Sequence, residues 1–307
     1  MRKRHLQLLV NPTASTTNPK YQKLLVEQLK QKHQIEVLST EYPGHAKELA
    51  RACAEESSAE ALLVLGGDGT VNQAAGGLAG SELPLLSLPG GSTSVFARSL
   101  GYQPDWRLAI QRTEHVLDNW KVSQIDLGYV DQQPFLFAAG CGLDAQVTKQ
   151  VDSQPALKAA FRAGFFTWSA LHNLLLRYSD QAENVSVCID GAEYTGSTVL
   201  VQNGPMYSYW GSTPLVFNPE VDYSSGTLGC LLIHGIGIQE TAELLYKAVS
   251  GVTRLLESPN VSVLPAAQQF SLVNLKPMPL QVDGDYLGDH QRAEFSCRPG
   301  CVSVLGD

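Results

Sequence analysis

Apolar and polar positions along this chain follow two different rhythms, and the change from one to the other falls near residue 120. In the first third, short apolar runs alternate with amphipathic stretches. Residues 6–10 read as a strand that stops at Asn11-Pro12, and residues 19–32 carry Tyr21, Leu24, Leu25 and Leu29 at helical spacing. Residues 35–38 read as a second strand, 44–55 as a helix and 61–65 as a third strand, with a helix starting from Val71. A fourth strand at 85–88 leads into a short helix through Phe96, Ala97 and Arg98. Repeated strand–loop–helix units predict a doubly wound α/β domain whose parallel sheet carries ligands at the carboxyl ends of its strands.

Beyond residue 120 the rhythm turns to strands: 120–130, 134–139, 185–189, 194–202, 227–234, 261–264, 270–275 and 280–282. Asp131-Gln132-Gln133 is turn-like, and Asp190-Gly191 is a strong hairpin signal. This half predicts an antiparallel β-sandwich, interrupted by helical stretches at 155–178 and 239–257. The expected division is 1–121 for the α/β domain, completed by 293–307, and 122–292 for the sandwich. A chain of 307 residues is long enough for two cores.

Composition narrows the function classes. The 44% hydrophobic and 17% charged fractions are those of an ordinary globular protein. A net charge of −8 with no long basic run argues against nucleic acid as a partner. The six cysteines show no metal-ligand spacing and read as thiols of a reducing cytosol. The apolar run after the basic residues Arg2, Lys3 and Arg4 is too short for a signal peptide, and no run of about 18 apolar residues occurs, so a cytoplasmic protein is expected.

Gly66-Gly67-Asp68-Gly69-Thr70, set directly after an apolar strand, is the most informative stretch. Glycines let backbone approach a ligand closely, and their N–H groups, with the positive end of a following helix, suit phosphate. An acid inside such a loop repels phosphate unless paired, so Asp68 orients backbone, water or a magnesium ion. A plain Gly-rich turn with a capping Asp fits the same residues. Pro89-Gly90-Gly91-Ser92-Thr93-Ser94 forms a second glycine loop after the next strand, so both loops can face one crevice.

With both loops in view, the chain resembles bacterial lipid kinases of the diacylglycerol kinase and sphingosine kinase catalytic family. Seven segments carry the resemblance in order: Asn11 to Ser15, Thr40 to Ala46, Gly66 to Thr70, Leu88 to Arg98, Ile125 to Gly128, Gly140 to Ala145 and Val282 to Asp285. It implies ATP-dependent phosphorylation of a lipid hydroxyl, with diacylglycerol as default substrate, in a cleft between a nucleotide domain and a β-sandwich. Glycine-rich backbone, Mg2+ and a base suffice for phosphoryl transfer. By this resemblance Asn11, Thr13, Thr40, Gly66, Gly67, Asp68, Gly69, Thr70, Gly91, Ser92 and Thr93 hold ATP. Asp283 is the general base, with Asp68 and Asp126 assisting it or steadying ATP-borne magnesium. An Asp-Gly hairpin turn is the plain reading of Asp283-Gly284.

The stretch 157–176 places Leu157, Phe161, Phe165, Trp168, Leu171 and Leu175 near one helix face, flanked by Lys158, Arg162 and Arg177. A core helix accounts for it, and so does a segment in peripheral contact with the inner membrane face. A homodimer is compatible with the sequence. His45 stands in a family-like loop, while His115, His172 and His234 are scattered. The chain departs from the family at Gln73, Ser94, Val95, Ala138, Ser224, Ser225 and Asp285, which removes polar groups near the expected metal and acceptor. Two rivals therefore stand beside the lipid kinase: a lipid- or nucleotide-binding relative that has lost transfer, and an NAD kinase, whose family shares the Gly-Gly-Asp-Gly-Thr loop.

Overall fold

The computed structural model describes residues 2–14, 19–56, 58–91, 93–103, 105–153, 184–234, 247 and 255–306. The helix expected at 155–178, nearly all of that at 239–257, and Ser92 lie outside them. The chain forms two compact units, one of Met1–Asp126 with Pro299–Asp307 and one of Leu127–Arg298.

The first unit follows the alternation read from the sequence. Its elements are β1 (His5–Val10), α1 (Pro19–Lys30), β2 (Gln34–Ser39), α2 (His45–Glu56), β3 (Ala61–Gly66), α3 (Asp68–Leu78), β4 (Leu85–Pro89), α4 (Val95–Ser99) and α5 (Trp106–Asn119). The strands pair in parallel in the order β2-β1-β3-β4, with Leu8 opposite Leu63 and Leu63 opposite Leu86. β3 is buried along its whole length, as a central strand covered on both faces must be, whereas β2 at the edge is largely exposed. Tyr21, Leu25 and Leu29 of α1 fill one side of the core with Leu6, Leu8, Leu63, Leu86 and Leu305.

Two boundaries differ from expectation. The helix after β3 starts at Asp68, three residues before Val71, so Asp68, Gly69 and Thr70 are its first turn. Trp120 does not open a strand: it takes the left-handed conformation (φ +49°) that ends α5, and the strand begins at Val122. α5 itself carries too mixed a stripe to be read from periodicity, with Leu108 exposed beside buried Ala109, Thr113, Val116 and Leu117. Asp105 caps it, its carboxylate accepting from Arg107 N–H at 2.8 Å.

The second unit is built on the end of β5 (Val122–Val130, the strand that leaves the first unit after Asp126), β6 (Gln133–Phe135), β7 (Ala138–Cys141), α6 (Leu143–Ser153), β8 (Val185–Ile189), β9 (Ala192–Gly196), β10 (Thr198–Gln202), β11 (Ser208–Trp210), β12 (Thr213–Leu215), β13 (Leu228–Ile233), β14 (Val261–Ala267), β15 (Gln269–Val282) and β16 (Asp285–Leu305) up to Arg298. Strands β14-β13-β10-β7-β15-β16 pair in that order, antiparallel throughout, and β8 adds to β15 with β9 outside it. β16 runs on past Arg298 and ends beside β4 with Val304 opposite Leu85. The core joins Phe135, Val187, Val201, Leu232, Leu272, Leu280 and the stacked pair Phe270–Phe295, centroids 4.8 Å apart.

Asp190-Gly191 makes the predicted hairpin, both residues left-handed (φ +49° and +82°). The run expected as one strand over 194–202 is two, because the chain turns at Ser197, whose hydroxyl donates to Ile233 O at 3.2 Å and His234 O at 2.9 Å. α6 and the first part of β16 were not read from the sequence at all; both are short on periodic apolar positions, and α6 starts immediately after the strand that carries Gly140.

Candidate functional site

In the first unit the carboxyl ends of β1, β2, β3 and β4 bring the sequence-predicted loops to one edge. The two glycine loops touch. A Cβ on Gly67 would make ordinary contact with Gly91 Cα at 3.6 Å, whereas a Cβ on Gly91 would lie 2.7 Å from Gly67 Cα. No side chain except hydrogen fits at Gly91 without moving backbone. Gly67, which has no side chain to cap with, is the N-cap of α3, so the first turn of an eleven-residue helix starts at the contact between the two loops.

The polar residues around this ground hold one another. Asn11 Nδ2 donates to Thr70 Oγ1 at 2.9 Å, while Asn11 Oδ1 accepts from Thr13 N–H at 3.0 Å and Thr13 Oγ1 at 2.8 Å. Thr40 joins through backbone, its N–H donating to Val10 O at 3.0 Å. Gln73 accepts from Gly44 N–H at 3.2 Å, which ties the loop after β2 to α3. Asp68 Oδ1 accepts from Phe96 N–H at 3.2 Å and so links the starts of α3 and α4. Thr93 is part-exposed.

Sequence reasoning gave Ser94 no role beyond a departure from the family. The structure makes it the clasp of the second loop: its Oγ accepts from Gly91 N–H at 3.1 Å and donates to Gly91 O at 3.0 Å. It does so from a left-handed backbone (φ +47°), where a residue other than glycine is strained.

In the second unit Asp283 begins the turn between β15 and β16, at φ +46° with Gly284 at +85°. The expected hairpin turn and the family motif are thus the same residues. Asp283 is buried, and its carboxylate accepts three backbone N–H groups: Leu136 at 2.7 Å, Phe137 at 3.1 Å and Ala138 at 2.9 Å. Asp283 N–H donates in return to Ala138 O at 2.8 Å. Asn203 grips the same segment from another side, donating through Nδ2 to Leu136 O at 2.7 Å.

Beside this turn lies a polar group that the sequence did not announce. Asp144 Oδ2 accepts from Tyr207 Oη at 2.7 Å and from Gln281 Nε2 at 2.7 Å, and Gln281 Nε2 also reaches Tyr207 Oη at 3.2 Å. Gln281 Oε1 accepts from Gly284 N–H at 2.9 Å and so connects the group to the Asp283 turn. Gly140 makes room: a Cβ there would collide with the Asp144 carboxylate. Burial pushes the Asp144 carboxyl above its ordinary range, opposed by the two donated bonds. Burial and the neighbouring Asp144 hold the Tyr207 phenol well above its usual value. The only signal in the sequence was the family-like segment from Gly140 to Ala145, for Gln281 lies 137 positions from Asp144.

Asp126 is buried and its Oδ1 accepts from Gly300 N–H at 2.9 Å. Among the described residues no three His, Cys, Asp or Glu side chains gather to hold a metal ion, and Asp68 and Asp126 each have an oxygen engaged by backbone. The turn at Asp222 is closed on itself, Oδ1 accepting from Ser224 N–H at 2.7 Å and Ser224 Oγ at 2.8 Å. No described helix is long and apolar enough to cross a membrane.

Residues 5–130 match the diacylglycerol kinase catalytic domain, and residues 138–306 match the YegS C-terminal NAD kinase beta sandwich-like domain. A diacylglycerol kinase of Staphylococcus carnosus is 26% identical over 295 residues, covering 94% of this chain and 90% of its own. A Cronobacter sakazakii protein named "Probable lipid kinase YegS-like" is 26% identical over 268 residues, 85% of this chain and 83% of its own. The crystal structure of a diacylglycerol kinase from Bacillus anthracis superposes with a TM-score of 0.71 at 20% identity, covering 100% of this chain and 98% of that one, which shows the shared fold. The chain belongs to the diacylglycerol kinase family, with the YegS-type sandwich as its second half.

Proposed function

We propose that the protein is an ATP-dependent lipid kinase that transfers the γ-phosphoryl group to a lipid hydroxyl, with diacylglycerol as substrate and phosphatidic acid as product. The observation that carries this reading is the contact between Gly67 and Gly91 at the start of α3. Backbone bare of side chains, at the positive end of a helix and at the carboxyl edge of a parallel sheet, suits a polyphosphate. Asn11, Thr13, Thr40, Gly66, Asp68, Gly69, Thr70, Ser92 and Thr93 belong to the loops around it, and the phosphoryl donor is taken as the magnesium salt of ATP.

Phosphoryl transfer asks mainly for placement and charge stabilisation. The first unit supplies both through N–H groups, and Asp68 keeps the two loop-borne helix starts in fixed relation. The acceptor hydroxyl belongs to the second unit, where the carboxyl groups near the β15–β16 turn are the available proton acceptors. The substrate is reached by peripheral contact with a bilayer.

Purified protein incubated with γ-labelled ATP and magnesium, separately with diacylglycerol vesicles, other lipid alcohols and NAD, tests the reading. Label in phosphatidic acid is the expected result. Label in NAD alone makes the protein an NAD kinase. ATP binding without transfer to any acceptor makes it a relative that has lost the reaction.

A further inference from the structure

Two carboxyl groups of the second unit serve one turn in different chemical situations. Asp283 is encircled by donors: three backbone N–H groups point at its oxygens, and its own N–H closes the ring on Ala138 O. A carboxylate in that setting is stabilised as the anion, and a proton arriving on it would displace bonds that shape residues 136–138. Asp144 is arranged otherwise. Both of its side-chain donors, Tyr207 and Gln281, fall on Oδ2, and Oδ1 takes neither. The residue is part-exposed, and among the described residues no cation pairs with it.

We propose that Asp144, rather than Asp283, is the catalytic residue that takes the proton of the acceptor hydroxyl. Tyr207 and Gln281 are its positioning residues, and Asp283 organises the backbone around them. The assignment rests on the phosphotransferase reading above and deepens it. In the step, the hydroxyl proton passes to Asp144 Oδ1 and the oxygen's electron pair forms the bond to the γ-phosphorus. The bond from that phosphorus to the bridging oxygen breaks, its pair leaving with ADP, and Asp144 then returns the proton to water.

The environment agrees with the role. A general base works best with an affinity for protons near the operating pH, and desolvation moves Asp144 in that direction. The titratable groups coupled to it are Tyr207, well above its usual range, and Cys141, pushed up to about 11, so both stay neutral; Asp283 bears on Tyr207, which it helps to hold protonated. Lys149 on the same helix is already paired with Asp289, at 2.7 and 2.8 Å. Gln281 links base and turn, because one end of its amide donates to Asp144 and the other accepts from Gly284 N–H.

Two variants test this with the full chain, labelled ATP and diacylglycerol vesicles. Asp144→Asn lowers kcat by roughly 10²-fold or more with the Kd for ATP unchanged. Tyr207→Phe removes a donor from the charged carboxylate, so the acidic limb of the kcat/KM profile moves to higher pH. A structural role for Tyr207 predicts loss of activity at every pH with no displaced limb. Asp144→Asn turnover within a few-fold of the natural protein overturns the proposal. Should that variant not fold, an unmoved acidic limb in Tyr207→Phe overturns it equally. If the natural protein phosphorylates no lipid, both this assignment and the reading beneath it fall, whereas an active Asp144→Asn removes only the assignment.

Discussion

Replacing the two touching glycines separately distinguishes the phosphate reading from a purely structural one. At Gly67 (φ −80°, ψ 173°) any residue can adopt the backbone, and an added Cβ meets Gly91 Cα at an ordinary 3.6 Å. Gly67→Ala loses about 0.5–1 kcal/mol as a poorer N-cap and regains about 0.4–1 kcal/mol by restricting the unfolded chain. Its thermal midpoint should therefore stay within about 2 °C of the natural protein. Gly91→Ala is different, because its Cβ falls 2.7 Å from Gly67 Cα and both atoms belong to backbone. The loops must part by about 0.7 Å to restore ordinary contact, an overpacking that costs about 1–3 kcal/mol and several degrees in Tm. Calorimetric titration with ATP and with inorganic tripolyphosphate reads the functional side. If the α3 N–H groups hold phosphates, Gly67→Ala weakens both ligands at least tenfold, about 1.4 kcal/mol, without loss of stability. Unchanged affinity in the folded Gly67→Ala protein would refute the placement, whatever Gly91→Ala does.

Asp283→Asn turns one acceptor oxygen into an amide facing N–H donors; chemical denaturation should show a loss of about 2–4 kcal/mol, and an unchanged midpoint contradicts the anchoring role. Because the folded-state affinity of Asp144 for its proton is raised, its contribution to stability is largest at low pH and declines as pH rises from the ordinary carboxylate range through the folded value. Urea midpoints of Asp144→Asn should lack that decline, and parallel pH curves for variant and natural protein would deny it. Burial pushes the thiols of Cys53 and Cys141 up to about 11 and that of Cys230 to about 12. A disulfide reagent at mildly alkaline pH should modify part-exposed Cys188 and Cys301 first, as peptide mapping will show; early labelling of Cys230 counts against the packed core.

The fold was legible where a local rule acted alone. The buried run of β3, the 3.6-residue stripe of α1 and the Asp190-Gly191 turn each declare themselves in a few consecutive residues. α5 and α6 did not, since α5 mixes exposed Leu108 with buried Ala109, Thr113, Val116 and Leu117, α6 buries little beyond Ala145, and their starts depend on a cap or on the preceding strand. The site divides the same way. Glycines after apolar strands mark the first unit's loops without any partner in view. Tyr207 and Gln281 carry no local mark, because what makes them significant is a carboxylate brought to them by folding across 63 and 137 positions. Asp283 was visible as a residue while its surroundings were not: three of its bonds are to backbone N–H groups, which any sequence supplies.

The last strand of the chain bears on how this protein can be divided. Since β16 ends as a parallel neighbour of β4, with Leu305 fully buried among Leu6, Leu63 and Leu86, the α/β unit is discontinuous in sequence. A chain stopped at Asp126 would retain every glycine-loop residue and still be short of one strand. Its β4 would then offer an open row of backbone donors and acceptors, the template on which like chains associate. Autonomy of the α/β unit thus calls for joining residues 299–306 back to it by a designed connection.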